Sequence, residues 1–166
     1  MKHFKTLVIT FLVTFGVMNF VQAQKVAHIN FEEVISLMPE TSKLQADLEK
    51  LGKTYGEEIS TAQKALKEKI DKYTAEEISQ TAAQNEARIK EVQTDQSKIQ
   101  QLQQVAQQEL QMKEKTALEP IIKKAQEAIE AIAETKGIVY VLDAKALVVS
   151  KGEDLLPAVK TSLGIK

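Results

Sequence analysis

Apolar side chains recur at Leu44, Leu48, Leu51, Tyr55, Ile59, Ala62, Leu66, Ile70 and Tyr73, at intervals of three and four, with mostly polar residues between them. The pattern closes every eleven residues: Leu44, Tyr55 and Leu66 share one phase, Leu48, Ile59 and Ile70 a second, and Leu51, Ala62 and Tyr73 a third. Such a repeat has roughly 3.67 residues per turn, so it predicts a long helix, straight or gently right-handed, burying one narrow seam against a single partner. A second run at helical spacing, Ile89, Val92, Ile99, Ala106, Leu110, Ala117, Ile121, Ala125, Ala128 and Ile132, is interleaved with glutamines from Gln93 to Gln111. It predicts a polar-coated return helix. Thr74-Ala75-Glu76-Glu77 places a cap residue three positions before a carboxylate, which sets the expected hairpin tip at 73–80. Arms of about 35 residues would project on the order of 50 Å.

The flanks read differently. Lys25 to Asn30 is a short run with β-branched members that predicts one strand, and Asn30 with Glu33 forms a capping-box pattern that starts a helix at Phe31. Pro39 is either a kink or the first residue of a new helix. Gly137 ends the return helix, and Ile138–Leu142 and Ala146–Val149 read as the strands of a β-hairpin turning at Asp143-Ala144-Lys145. Asp154 caps a last helix from Leu155 to Leu163. Strands at opposite ends of the chain must meet in space. The expected fold is α+β: a small β-body, residues 24–38 and 121–166, with a long antiparallel α-helical hairpin arm, about 39–120, inserted between its strands.

Ahead of this domain, Lys2 and Lys5 precede an uncharged, mostly apolar run from Thr6 to Phe20, and Val21-Gln22-Ala23 supplies small residues for cleavage. About 15 uncharged residues fall short of the roughly 20 a spanning helix needs, so residues 1–23 read as a signal peptide cleaved after Ala23. Its removal leaves 20 basic and 23 acidic residues, net −3. With charged residues at 27%, balanced in sign, there is no nucleic-acid footprint. Five Phe, three Tyr and no Trp are few for a compact globule of 166 residues, which favours an elongated helical shape. No Cys is present, which excludes disulfides, thiolate metal sites and a cysteine nucleophile.

Nothing in the chain carries the chemistry of an enzyme or a cofactor. Gly52-Lys53-Thr54 looks like the end of a phosphate-binding loop, but the first glycine of that motif would fall at Asp47, inside the helical repeat. After processing, His28 is the only histidine, and one histidine makes neither a metal site nor a catalytic triad. Neighbouring carboxylates such as Glu57-Glu58 and Glu76-Glu77 point about 100° apart on a helix and face water. Gly52 and Gly56, four apart in the outgoing helix, are either a flexible point or sites of close helix packing or tolerance; Pro120 lacks the N–H that would bond the Thr116 carbonyl, so the return helix is expected to kink there.

The layout resembles the Skp/OmpH family: a leader, a KVAHIN-like first strand, a helical hairpin, then GIVYVLD and a terminal DLLPAVKTSLGI. The resemblance spans the mature chain and is most specific from Gly137 to Ile165. It implies a homotrimer in a Gram-negative periplasm whose three arms enclose unfolded outer-membrane proteins without ATP, as a holdase. Val139, Val141 and Val148 then become candidates for the shared body of the oligomer. Leu102, Val105 and Met112 lie off the return-helix seam. They either widen the packing stripe or line the inner face of the arm as contacts for apolar clients. Better-known members are strongly basic; the net −3 puts membrane or lipopolysaccharide contact in doubt. Pro157 stands where members often have a small polar residue. The rival readings are a coiled-coil spacer or scaffold of the cell envelope, which would show one dedicated partner at fixed stoichiometry, and a prefoldin-like cytosolic chaperone, against which the leader argues.

Overall fold

The structure, a computed structural model, describes residues 24–165. The expected leader and its cleavage point after Ala23 lie outside them. Strand β1, Lys25–Ile29, leads through Asn30 into helix α1, Phe31–Leu37. The Asn30 carbonyl oxygen of the side chain accepts from the Glu33 N–H at 3.1 Å, and the Asn30 amide donates to the Glu33 carboxylate at 3.1 Å. The cap predicted for this helix is thus present. Extended backbone at Met38 separates α1 from helix α2, Pro39–Glu76, so Pro39 opens a new helix, where its missing N–H costs nothing. Thr41 Oγ1 donates to the Ile35 carbonyl at 2.5 Å and ties this corner together.

Every position of the eleven-residue repeat in α2 is buried or half-buried, while nearly all residues between them are exposed. A short 3-10 turn, Glu77–Ser79, follows, and helix α3 runs from Ala82 to Lys136. The tip falls at 77–81. Its cap is Thr81, whose hydroxyl accepts from the Gln84 N–H while the Gln84 side chain accepts from the Thr81 N–H. The cap expected at Thr74 is therefore replaced by one seven residues on, and Thr74 stays helical. Contacts between α2 and α3 follow a reversed order: Glu40 meets Lys124, Tyr55 meets Glu109, Lys69 meets Asp95 and Glu76 meets Arg88. Gly137, at φ 65°, ends α3 and donates to the carbonyls of Ala133 and Glu134.

The sheet departs from expectation. Strand β2, Ile138–Asp143, pairs in parallel with β1, and the chain then turns through a 3-10 segment, Ala144–Ala146, where the Asp143 carboxylate accepts from the Lys145 N–H. Residues 147–152 form no strand; the chain loops on to β3, Glu153–Asp154, which pairs in parallel with the other edge of β1. The order is β2-β1-β3, so the β-hairpin expected over 138–149 is not formed and Val148 lies in a bend, fully exposed. Parallel pairing of β1 with β2 needs a long crossover, and the whole α1–α3 segment supplies it. A register shift between Lys25 and Val26 skips Val139, which interrupts the in-out alternation and leaves Val139 exposed after buried Ile138. Helix α4, Leu156–Ser162, closes the chain, with Asp154 accepting from the Leu156 N–H.

The core sits in this body. Val34, Met38, Leu155 and Val159 are fully enclosed, joined by Ala27, Ile29, Leu44, Ile121, Ala125, Ile129, Ala133 and Ile138. No residue between Leu48 and Ala117 belongs to that cluster or packs against it. The outer α2–α3 pair stands clear of the core.

Candidate functional site

What the arm can do follows from its three zones. At the base, the Lys124 ammonium donates to Glu40, and this bond is the main cause that holds the Glu40 carboxyl below the usual carboxylate range. The pair borders a cleft of about 530 Å³ that also includes Leu44, Thr116, Pro120 and Ile121. Helix α3 runs on through Pro120, whose ring is exposed and whose nitrogen offers nothing to Thr116.

The middle is sparse. Ile99 and Ala106 are the buried residues of α3 here, and Tyr55 Oη donates to Glu109 at 2.5 Å, the bond chiefly responsible for raising the Tyr55 phenol above its ordinary pKa. A Cβ on Gly52 or Gly56 would meet nothing within 4 Å. Close packing therefore does not require either glycine.

The tip is densely polar. Lys69 Nζ donates to Asp95 at 2.5 Å and to Glu91 at 2.6 Å, and these bonds, Asp95 first, keep the ammonium protonated above the normal lysine range. In turn the Lys69 bond is the largest cause lowering both carboxyls, with Tyr73 assisting at Glu91 and Lys98 at Asp95. Tyr73 Oη donates to Glu91 at 2.7 Å, which raises the phenol. Arg88 donates to Glu76 at 2.6 Å and its guanidinium lies over the Tyr73 ring. Lys69, Tyr73, Glu76, Arg88 and Asp95 are half-buried between the two helices, so their pairing is screened less than that of fully exposed ions and holds the register of the tip.

The off-seam residues of α3 separate. Leu102 is half-buried and shares a cleft of about 190 Å³ with Ala62, Leu66 and Ile99, so it widens the packing stripe. Val105 is 37% exposed and Met112 65% exposed, leaving both open to other molecules. Ile89, expected on the seam, is 58% exposed, and its neighbour Arg88 is the residue that packs over Tyr73. Ile78, at the apex, is fully exposed and no periodicity marked it. In the body, Val141 is half-buried, whereas Val139, Tyr140, Leu142, Val148 and Val149 present apolar surface to solvent. Among the described residues there is no grouping of three or more His, Asp or Glu suited to a metal ion, and no helix long and apolar enough to cross a membrane.

Against known families, residues 25–163 match the model for outer membrane protein (OmpH-like). A search of curated proteins finds no match. Among solved structures, this chain is similar to one described as a candidate outer membrane chaperone (OmpH-like) from Caulobacter crescentus CB15, with a TM-score of 0.76 at 17% identity over 84% of this chain and 83% of that one. At that identity the likeness concerns the fold.

Proposed function

From the premise that this chain belongs to the OmpH-like outer membrane protein family, we propose that it is an ATP-independent periplasmic holdase that keeps unfolded outer-membrane proteins from aggregating. The observation that carries this reading is the arm itself: a helix pair of 38 and 55 residues whose outer part contributes nothing to the body core. A structure that commits so much chain to surface away from its core uses that surface for contact. Antiparallel hairpin arms from three subunits, joined through the β-bodies, would surround one client. The apolar surface left on the body by Val139, Tyr140 and Leu142 supports such association, since exposed apolar surface on a strand is available to a partner.

The grip would be passive. Val105 and Met112, exposed among glutamines, offer weak apolar contacts repeated on each arm, and no single residue is indispensable. Such contacts suit a strand-rich client whose danger is edge-to-edge aggregation. Gly52, Gly56 and Pro120 are the positions at which the arm would bend around clients of different size. No nucleotide, metal or nucleic acid has a role in this mechanism, and the leader would deliver the chain to the periplasm.

The test is light scattering of a denatured outer-membrane barrel diluted from urea, with and without stoichiometric processed protein and without nucleotide. Suppressed aggregation of unrelated barrels is expected. No suppression, with capture of one dedicated folded partner instead, would establish an envelope spacer.

A further inference from the structure

The described residues contain two methionines with opposite surroundings. Met38 is enclosed in the body core at 0% exposure, whereas Met112 lies on the arm at 65%. The chain has no cysteine and no tryptophan, so thiol and indole do not compete for oxidant. Tyr55 and Tyr73 are engaged with Glu109 and Glu91. Among the described residues, two-electron oxidants such as peroxides therefore meet one accessible thioether, that of Met112.

We infer that Met112 is a reversible oxidation site through which a peroxide loosens the arm's hold on apolar clients; this rests on the holding function above. The thioether sulfur attacks one peroxide oxygen, the O–O bond breaks, an S–O bond forms and water departs. Sulfur loses the two electrons that the peroxide gains. The product replaces a flexible apolar contact with a polar sulfoxide that prefers water, so client segments that bury themselves against Met112 lose that contact. Val105, the other exposed apolar residue of this stretch, is chemically inert to peroxide and keeps a residual grip. The arm survives the change because Met112 takes no part in the packed seam or the core. Thiol-dependent sulfoxide reduction restores the thioether, which makes the effect a switch and not damage.

The experiment treats the processed full chain with a small excess of hydrogen peroxide, locates added oxygen by peptide mass spectrometry, and measures affinity for a denatured outer-membrane barrel before and after. Oxygen is expected on Met112 and not on Met38, with helicity unchanged and affinity weakened by roughly fivefold, the scale of one lost apolar contact. Met112→Leu should bind with the same affinity before and after treatment, whatever its own starting value. Met112→Gln should bind weakly without any treatment. Oxidation of Met112 with unchanged affinity overturns the proposal, as does oxidation of Met38 ahead of Met112. An untreated protein that fails to hold the barrel overturns the holding function and this proposal with it, whereas an untreated protein that holds it separates the two.

Discussion

The Arg88 guanidinium lies 4.5 Å from the centre of the Tyr73 ring, one helix stacked on the other at the far end of the arm. Together with Tyr73–Glu91, Arg88–Glu76 and the forked Lys69 contacts, it clasps the hairpin at its tip. Helical hairpins ordinarily fray from the end. Here the middle, with two glycines and one cross-arm hydrogen bond, is the weaker zone. Amide hydrogen exchange should therefore be slower over 69–76 and 88–95 than over 52–60 and 104–112. Lys69→Ala should invert that order, and a uniform gradient of exchange from base to tip would sink the idea.

The clasp also responds to acid. The carboxyls of Glu91 and Asp95 are lowered by Lys69, so their contribution is complete above the ordinary carboxylate range and is lost as pH falls through their depressed values. Spin labels at positions 75 and 87 should give a narrow distance distribution from neutrality down to about pH 5, broadening below about pH 4. Lys69 and Tyr73 are shifted upward, so their share is fully present below their ordinary values near 10 and fades only above that range. A distribution already broad at pH 7, or unchanged at pH 3, would show that these pairs do not hold the tip.

Gly52 and Gly56 make a third case. With open space around each, alanine fits, and each replacement should stabilise the helix by about 1 kcal/mol through propensity and backbone entropy. If these residues are the bending point, the double variant should melt higher and show a narrower spread of arm positions by spin-label distances. Higher melting with an unchanged spread would move the pivot to Pro120.

The body should fold without the outer arm. Deleting 56–108 and bridging Tyr55 to Glu109, which already touch, removes no residue of the buried cluster. The shortened chain is expected to unfold cooperatively in urea. In ultracentrifugation it should keep the association state of the full chain, because the exposed apolar surface of β2 is untouched; a monomer produced from a trimeric parent would place the contacts in the arms.

A structural feature is legible in the sequence when its signal is local. The eleven-residue repeat read out the α2 seam residue by residue, since one narrow stripe facing one partner leaves a direct imprint. Asn30 and Glu33 announced the first helix because both partners lie within four residues. The turn, Glu77–Ser79, falls within the expected 73–80, but Thr74 and Thr81 carry similar local cap patterns and nothing local marks Thr81 as the one that starts the return helix. The sheet is hidden for a related reason. Ala146–Val149 has strand-forming composition, but pairing is decided by which edge of β1 is free, and β3 takes it with only Glu153 and Asp154. Leu102 and Met112 look alike in sequence; only the neighbouring helix tells a packed residue from an open one.

Residues 43–79 carry seven Lys and eight acidic residues, and 80–119 carry five basic and six acidic, so the arm is near neutral. Many of these charges are already matched within the arm, as in Lys53–Glu57, Lys69 with Glu91 and Asp95, Arg88–Glu76 and Lys90–Glu86. Little field remains to attract an acidic chain, and exposed charges are screened beyond roughly 8 Å at physiological ionic strength. Apolar burial, which salt does not weaken, must then dominate. Affinity for an unfolded barrel should change less than about threefold between about 50 and about 500 mM NaCl. Replacing Val105 and Met112 together by Ser, which leaves the seam intact, should weaken binding by roughly tenfold with no loss of helicity. Leu102→Ser should instead lower the melting temperature of the arm, since it packs beside Leu66 and Ile99. Steep loss of affinity with salt, combined with wild-type binding by the double Ser variant, would shift the grip from these apolar residues to local charge.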